Sequence, residues 1–250
     1  MKLAPLVAYL DDYLRVRDVR DAPEALNGLQ VENAGAVTRL AAAVDLCEAT
    51  VRLAVAARAD LLLVHHGLFW GGPVPVSGMV YRRVSALIAN NVAVYAAHLP
   101  LDCHPDVGNA ALLARHLGVR VCAAFGEWQG QSCGVWGELD VTRDALTARL
   151  AAALGTAPRV LAFGPERLRR IGIVTGAGGS MIPQAAAAGL DAYITGEGTH
   201  HTYVVAEELR LNVYYGGHYA TETFGVRALA EHLAAKFSLP WVFLDHPTGL

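Results

Sequence analysis

The chain has 250 residues, 54% of them hydrophobic and 17% charged, which is enough apolar side chain to bury a full core and argues against disorder. Its 20 Lys plus Arg against 23 Asp plus Glu leave a formal net charge of -3, so no strong overall field recruits nucleic acid and such a contact would need a local basic patch. No stretch reaches the roughly 18 uninterrupted apolar residues of a membrane span, and four cysteines without a CxxC pair suit a reduced, cytoplasmic compartment.

In chain order, Met1 to Leu14 reads as an amphipathic helix with early acidic residues at Asp11 and Asp12, and not as an export signal. A loop and a short strand cover Asp21 to Val31, a strand covers Arg39 to Leu46, and a helix covers Glu48 to Ala59. The apolar run Leu61 to Val64 then delivers His65 and His66 into a turn at Gly67. Neighbours in a strand face opposite sides, so both imidazoles can serve one site only if the pleat ends between or just after them. Taken alone, the pair has a lesser alternative reading as two ordinary histidines at a strand end. Gly71, Gly72, Pro73 and Pro75 break regularity before a helix near Val80 to Asn90, and Asn91 to Ala96 is a strand leading to His98-Leu-Pro-Leu-Asp102.

This strand, helix, strand rhythm signals an α/β lobe. In the loop that follows, Asp102 is the expected ligand, His104 and Asp106 are either its supports or a solvated loop, and Asn109 is placed to cap the helix Ala110 to Leu117. The texture changes over Gly118 to Gln131, which reads as a junction between a first lobe, residues 1–125, and a second, residues 126–250. The second lobe alternates strands and helices again: Cys133 to Leu139, Thr142 to Leu154, Val160 to Phe163, Arg170 to Thr175, Met181 to Ala188, Asp191 to Thr195, Thr199 to Leu209, Leu211 to Tyr215, Phe224 to Phe237 and Trp241 to Leu244.

Two glycine-rich turns lie in that lobe. Gly176-Ala-Gly-Gly-Ser180 follows a strand and could cradle an anion, although Met181 fails the dinucleotide fingerprint; a tight structural turn is the other reading. Gly196-Glu-Gly-Thr-His-His201 fails the fingerprint at His201, and Glu197 and His201 are better placed to orient ligands or move a proton.

Polar clusters at strand ends are the recurrent feature. His218 and Glu222 are four residues apart and share a face if the following helix has begun. Imidazole nitrogen and carboxylate oxygen suit zinc, iron, manganese or cobalt. His65, His66, Asp102, His218 and Glu222 exceed the needs of one ion, with His98 and His201 in reserve, which points to two divalent ions bridged by Glu222.

With LLLVHHGLFW, HLPLD, TGEGTHHTY and GGHYATETFG in this order, the chain closely resembles the GTP cyclohydrolase 1 type 2 family, also called the NGG-interacting factor three-like family, over essentially its full length. The resemblance implies metal ligands at His65, His66, Asp102, His218 and Glu222, with Glu222 touching both ions. It also implies two related α/β lobes with the dinuclear site in the cleft between them, and a toroidal homohexamer whose sites face an internal cavity. The expected function is a metal-dependent hydrolase acting on a nucleotide or phosphoester, with Glu222, His98 and His201 as its catalytic residues. The alternative is a ring-shaped binding protein with structural metals, taking a protein partner or single-stranded nucleic acid along basic groups such as Arg82-Arg83 and Arg167 to Arg170.

Overall fold

The computed structural model describes residues 1–72 and 74–250, so Pro73, one of the expected breakers, lies outside the described residues. Two compact units divide the chain, Met1–Leu101 with Gly225–His246, and Asp102–Phe224 with Pro247–Leu250. The first unit opens with helix α1 (Leu3–Tyr13) and strands β1 (Gly28–Val31) and β2 (Leu40–Asp45). It continues with α2 (Glu48–Ala56), β3 (Leu61–His66), α3 (Gly78–Ala89), β4 (Ala93–Ala96) and the single turn α4 (Leu99–Asp102), whose last residue opens the second unit. The second unit holds α5 (Asn109–Leu117), β5 (Arg120–Trp128), β6 (Gln131–Thr142), α6 (Arg143–Leu154), β7 (Arg159–Ala162), β8 (Arg167–Ile173), α7 (Ile182–Ala187), β9 (Ala192–Thr195), α8 (His201–Glu208) and β10 (Asn212–Tyr215). Helix α9 (His218–Phe237) starts in the second unit; most of it, with β11 (Trp241–Phe243), belongs to the first.

The first sheet has the order β1-β4-β3-β2-β11, with β4, β3, β2 and β11 parallel and β1 antiparallel at the edge. Every residue of β3 is buried, as a central parallel strand covered on both faces requires, which is why its sequence is a continuous apolar run rather than an alternation. Ala41, Ala43, Leu62, Val64 and Val94 pack one face against Val51 and Ala54 of α2 and Val80 and Leu87 of α3. In α1, Leu3, Leu6 and Leu10 recur at helical spacing and are buried, and Tyr95 of β4 donates its hydroxyl to Asp11 at 2.8 Å.

The second sheet has the order β5-β6-β8-β9-β10-β7 and is mixed: β8, β9 and β10 are parallel, while β5, β6 and β7 pair antiparallel. Leu113 and Leu117 of α5 and Leu146 and Leu150 of α6 cover Ile171, Ile173, Ile194 and Tyr214. The protein is therefore mixed α/β with two lobes, each built on its own sheet. Among the described residues, no helix is long and apolar enough to cross a membrane.

The division between lobes differs from the one expected at residues 125 and 126. That point falls inside β5, because Gln129 and Gly130, at φ 49° and 82°, form a two-residue hairpin turn that pairs Trp128 with Gln131 and ties β5 to β6. The end of the chain also departs from expectation, since β11 runs parallel to β2 and so returns to the first sheet. Helix α9 begins at His218, six residues before the expected Phe224, so that His218 and Glu222 both lie in its opening turns.

Candidate metal centre

Parallel strands release polar residues at their carboxyl ends, where a ligand can be met. In the first unit, β2 ends in Asp45, β3 in His65 and His66, and β4 leads directly to His98. The ligand-capable atoms of His65, His66 and His98 all lie within 4.8 Å of one another. The pleat stops at His66, and at Gly67 a side chain would collide with Gln30, whose Oε1 accepts from Leu68 N at 2.7 Å. That close crossing ends the strand at the point where both imidazoles can share one site.

Each of these rings is oriented through Nδ1. His65 Nδ1 lies 2.9 Å from Ala97 O, His66 Nδ1 2.8 Å from Asp45 Oδ1, and His98 Nδ1 2.8 Å from Asp21 Oδ1. A carbonyl or carboxylate oxygen can only accept, so the proton belongs on Nδ1 and the lone pair on Nε2, the arrangement typical of metal-binding histidines. Asp21 is almost fully buried and also accepts from Ala22 N, Asn27 Nδ2 and Leu99 N. Burial alone would raise its pKa; the His98 bond and charge, with the Asn27 and Leu99 bonds, hold it below the usual value. Trp70 sits over the group, its ring 4.5 Å from that of His98 and 4.9 Å from that of His66.

In the second unit, His218 is likewise oriented through Nδ1, 2.8 Å from Glu197 Oε1, while its Nε2 is 3.2 Å from the carboxylate oxygen Glu222 Oε2, so both ring nitrogens meet acceptors. Burial depresses the imidazolium, but the Glu222 bond and charge outweigh it and, with Glu197, push the His218 pKa up to about 9. Glu222 is 2% exposed. Asp102, also buried, accepts from Asn109 Nδ2 at 2.7 Å. Asn109 is thus not the cap of α5, which is Gly108, but the first helical residue and the support of Asp102.

The remaining sequence candidates separate. His201 is exposed, with Nδ1 3.0 Å from Thr199 Oγ1, and is not in a metal-capable group among the described residues. His104 Nδ1 accepts from the backbone of Asp106 and Val107, so it shapes its loop. The Gly176 to Ser180 turn takes its structural reading: Gly176 N and Gly178 N donate to the buried hydroxyls of Thr221 and Thr195, which leaves neither to cradle a phosphate. Asp21, Asp45 and Trp70 are additions that the sequence candidates lack. Asp45 carries a signal that could have found it, because it ends an apolar strand as His65 does; Asp21 is 77 residues from His98 and carries no local signal.

Buried His, Asp and Glu side chains able to hold metal therefore stand in the chain, and their chemistry fits a divalent ion: imidazoles each oriented by an oxygen at Nδ1, with carboxylates to offset charge.

A Deinococcus radiodurans protein named GTP cyclohydrolase 1 type 2 homolog is 43% identical over 98% of this chain and 93% of its own. A Halobacterium salinarum protein of the same name is 45% identical, with both chains covered in full. The crystal structure of a Thermus thermophilus protein matches with a TM-score of 0.92 at 43% identity, again over 100% of both chains. The family model described as Duf34/NIF3 (NGG1p interacting factor 3) matches residues 1–248, and the chain belongs to that family.

Proposed function

We propose that His65, His66, Asp102, His218 and Glu222 together hold two divalent ions, with Glu222 shared, and that the centre hydrolyses a nucleotide or phosphoester. The observation that carries this reading is the repeated anchoring of His65, His66, His98 and His218 by an oxygen at Nδ1, which prepares Nε2 as a donor atom. Such an ion pair supplies Lewis-acid polarisation and lowers the pKa of an attacking water. His98, held by Asp21, is the side chain best prepared to accept and return a proton, while exposed His201 is left a lesser part. A cytoplasmic setting accords with four cysteines that stand as thiols.

The test is elemental analysis of the purified chain beside turnover of a panel of nucleotides and phosphomono- and diesters, before and after chelation. Metal-dependent turnover, lost on chelation and restored by one of zinc, iron, manganese or cobalt, supports the reading. A fully loaded protein inert toward the whole panel counts against it. For the nucleic-acid alternative, the basic groups already have partners in the chain at Arg82, paired with Glu48, at Arg167, paired with Asp140, and at Arg170, 4.8 Å over Trp136.

We also propose a closed homo-oligomer, with the hexamer of the resemblance as the expected state. Supporting it, α3 and the segment before it expose Val74, Val76, Met79, Tyr81 and Ile88, apolar side chains of the kind a second copy covers. Light scattering at micromolar concentration should report about six chains per particle, and a monomer would refute it.

A further inference from the structure

We infer that Gly176 is a positioning residue of the proposed metal centre: its missing side chain keeps open the coordinating space between Glu222 Oε1 and His218 Nε2. The inference rests on the metal-centre reading above and concerns a residue whose turn resembles a phosphate loop in sequence.

A Cβ placed on Gly176 would lie 2.1 Å from Glu222 Oε1, 3.2 Å from its carboxyl carbon and 3.3 Å from His218 Nε2. A divalent ion typically sits about 2.0–2.2 Å from a carboxylate oxygen or imidazole nitrogen, so a methyl group there would occupy volume the ion and its ligands require. The φ of +64° independently favours glycine.

The turn cannot simply back away. Gly176 N donates to Thr221 Oγ1 at 3.1 Å, while Thr195 Oγ1 and Glu197 N donate to Gly176 O at 3.1 Å and 3.0 Å. Further along the same turn, Gly178 N donates to Thr195 Oγ1 at 3.0 Å and Tyr193 Oη to Gly178 O at 2.8 Å. Thr195, Thr221 and Tyr193 are all 0% exposed. Thr221 lies in α9 between His218 and Glu222, so the same hydroxyl ties the turn to the helix that carries both ligands. With the turn held from several sides, an added methyl group has to displace the Glu222 carboxylate.

Gly155 supplies the matched control. It closes α6 in the same unit at φ +70°, with nothing within 4 Å of an added Cβ, so Gly155→Ala carries the backbone strain without the encounter. The experiment is Co(II) titration of the metal-stripped full chain, followed by its d–d absorption, for wild type, Gly176→Ala, Gly155→Ala, Glu222→Asp and the pair Gly176→Ala/Glu222→Asp. Gly176→Ala should bind Co(II) at least about tenfold more weakly than Gly155→Ala and with an altered absorption band, a size typical of disturbed ligand support. Shortening the carboxylate by one methylene should relieve the clash, so the pair should bind more tightly than the product of the two single losses allows.

Equal affinity and spectrum for Gly176→Ala and Gly155→Ala would overturn the inference while leaving the metal centre standing. Wild-type protein that takes up no Co(II) would remove the metal-centre reading and this inference with it. A loss in Gly176→Ala that Glu222→Asp does not relieve would assign the effect to the turn rather than to the carboxylate, and overturn it as well. If Gly176→Ala does not fold, the pair decides: recovered folding and Co(II) binding support the inference, and a pair that stays unfolded refutes it.

Discussion

Glu222→Gln should yield a folded protein that has lost most of its affinity for at least one divalent ion, with a dissociation constant weaker by roughly a hundredfold or more. Glutamine keeps the volume of the side chain, and Glu222 is 2% exposed on α9, so the packing around it has no reason to change. What changes is charge. A neutral amide no longer offsets the two positive charges of a nearby ion, and its nitrogen cannot ligate as a carboxylate oxygen does.

The metal-free protein should stay folded, since an amide costs less to bury than a carboxylate, but it loses the His218–Glu222 pairing, so its melting midpoint should drop at pH values below about 9 and change least above that pH. Metal content by elemental analysis and metal affinity by titration check the first claim, and thermal unfolding of the stripped protein checks the second. Hydrolysis, if present, should fall by orders of magnitude with the lost ion. Turnover preserved in a protein that has lost one metal would reject the two-ion mechanism.

The same residue sets a pH dependence. Because Glu222 and Glu197 push His218 up to about 9, an incoming ion has to displace its proton at neutral pH, and wild-type metal affinity should weaken as pH falls below that value. The sign for folding is opposite: a raised imidazole pKa stabilises the metal-free fold fully below about 6.5 and loses that contribution as pH rises through about 9. In Glu222→Gln, the His218 titration followed by NMR should move down, as its largest favourable partner is gone.

Asp21→Ala should be the most damaging change away from the metal ligands. The carboxylate is 6% exposed and takes hydrogen bonds from His98 Nδ1, Asn27 Nδ2, Ala22 N and Leu99 N at 2.7–2.9 Å. Truncation leaves several buried donors without their acceptor, which costs about 3 kcal/mol and lowers the melting midpoint by roughly 6–12 °C for a chain of this size.

The penalty should shrink in acid. The folded-state pKa of Asp21 is lowered, so its contribution is complete above the unfolded value near 3.9 and disappears as pH falls through the folded value. His98 would also lose the acceptor that fixes its tautomer, so a proton-transfer step through His98 should weaken together with stability. A melting midpoint unchanged within 2 °C at pH 7, on the order of the shift from about 0.5–1 kcal/mol, would refute the buried-anchor role.

Much of the fold is legible along the chain because its signals are local. The continuous apolar runs Leu40 to Val44 and Leu61 to Val64 announce buried parallel strands, and the recurrence of Leu3, Leu6 and Leu10 announces an amphipathic helix. The candidate ligands are legible for a related reason: His65 and His66 stand directly after an apolar run, and Asp102, His218 and Glu222 within several residues of the end of one. The hairpin at Gln129 and Gly130 carries a local signal too, yet in sequence it passes for a linker, since a glycine turn looks alike whether it joins two strands or two lobes.

What the sequence by itself determined is the α/β character of both lobes, the five ligand candidates and the family, all of which rest on short-range patterns of side-chain type. What only the tertiary structure decided is partnership. Strand β11 chose β2 rather than the second sheet, Asp21 came to hold a histidine 77 residues away, Asn109 turned from capping a helix to holding Asp102, and Gly176 came to face Glu222. The physical reason is the same in each case: a backbone edge, a carboxylate or a bare Cα is equally satisfied by many partners, and nothing within a few residues of it says which one the packed chain will bring near.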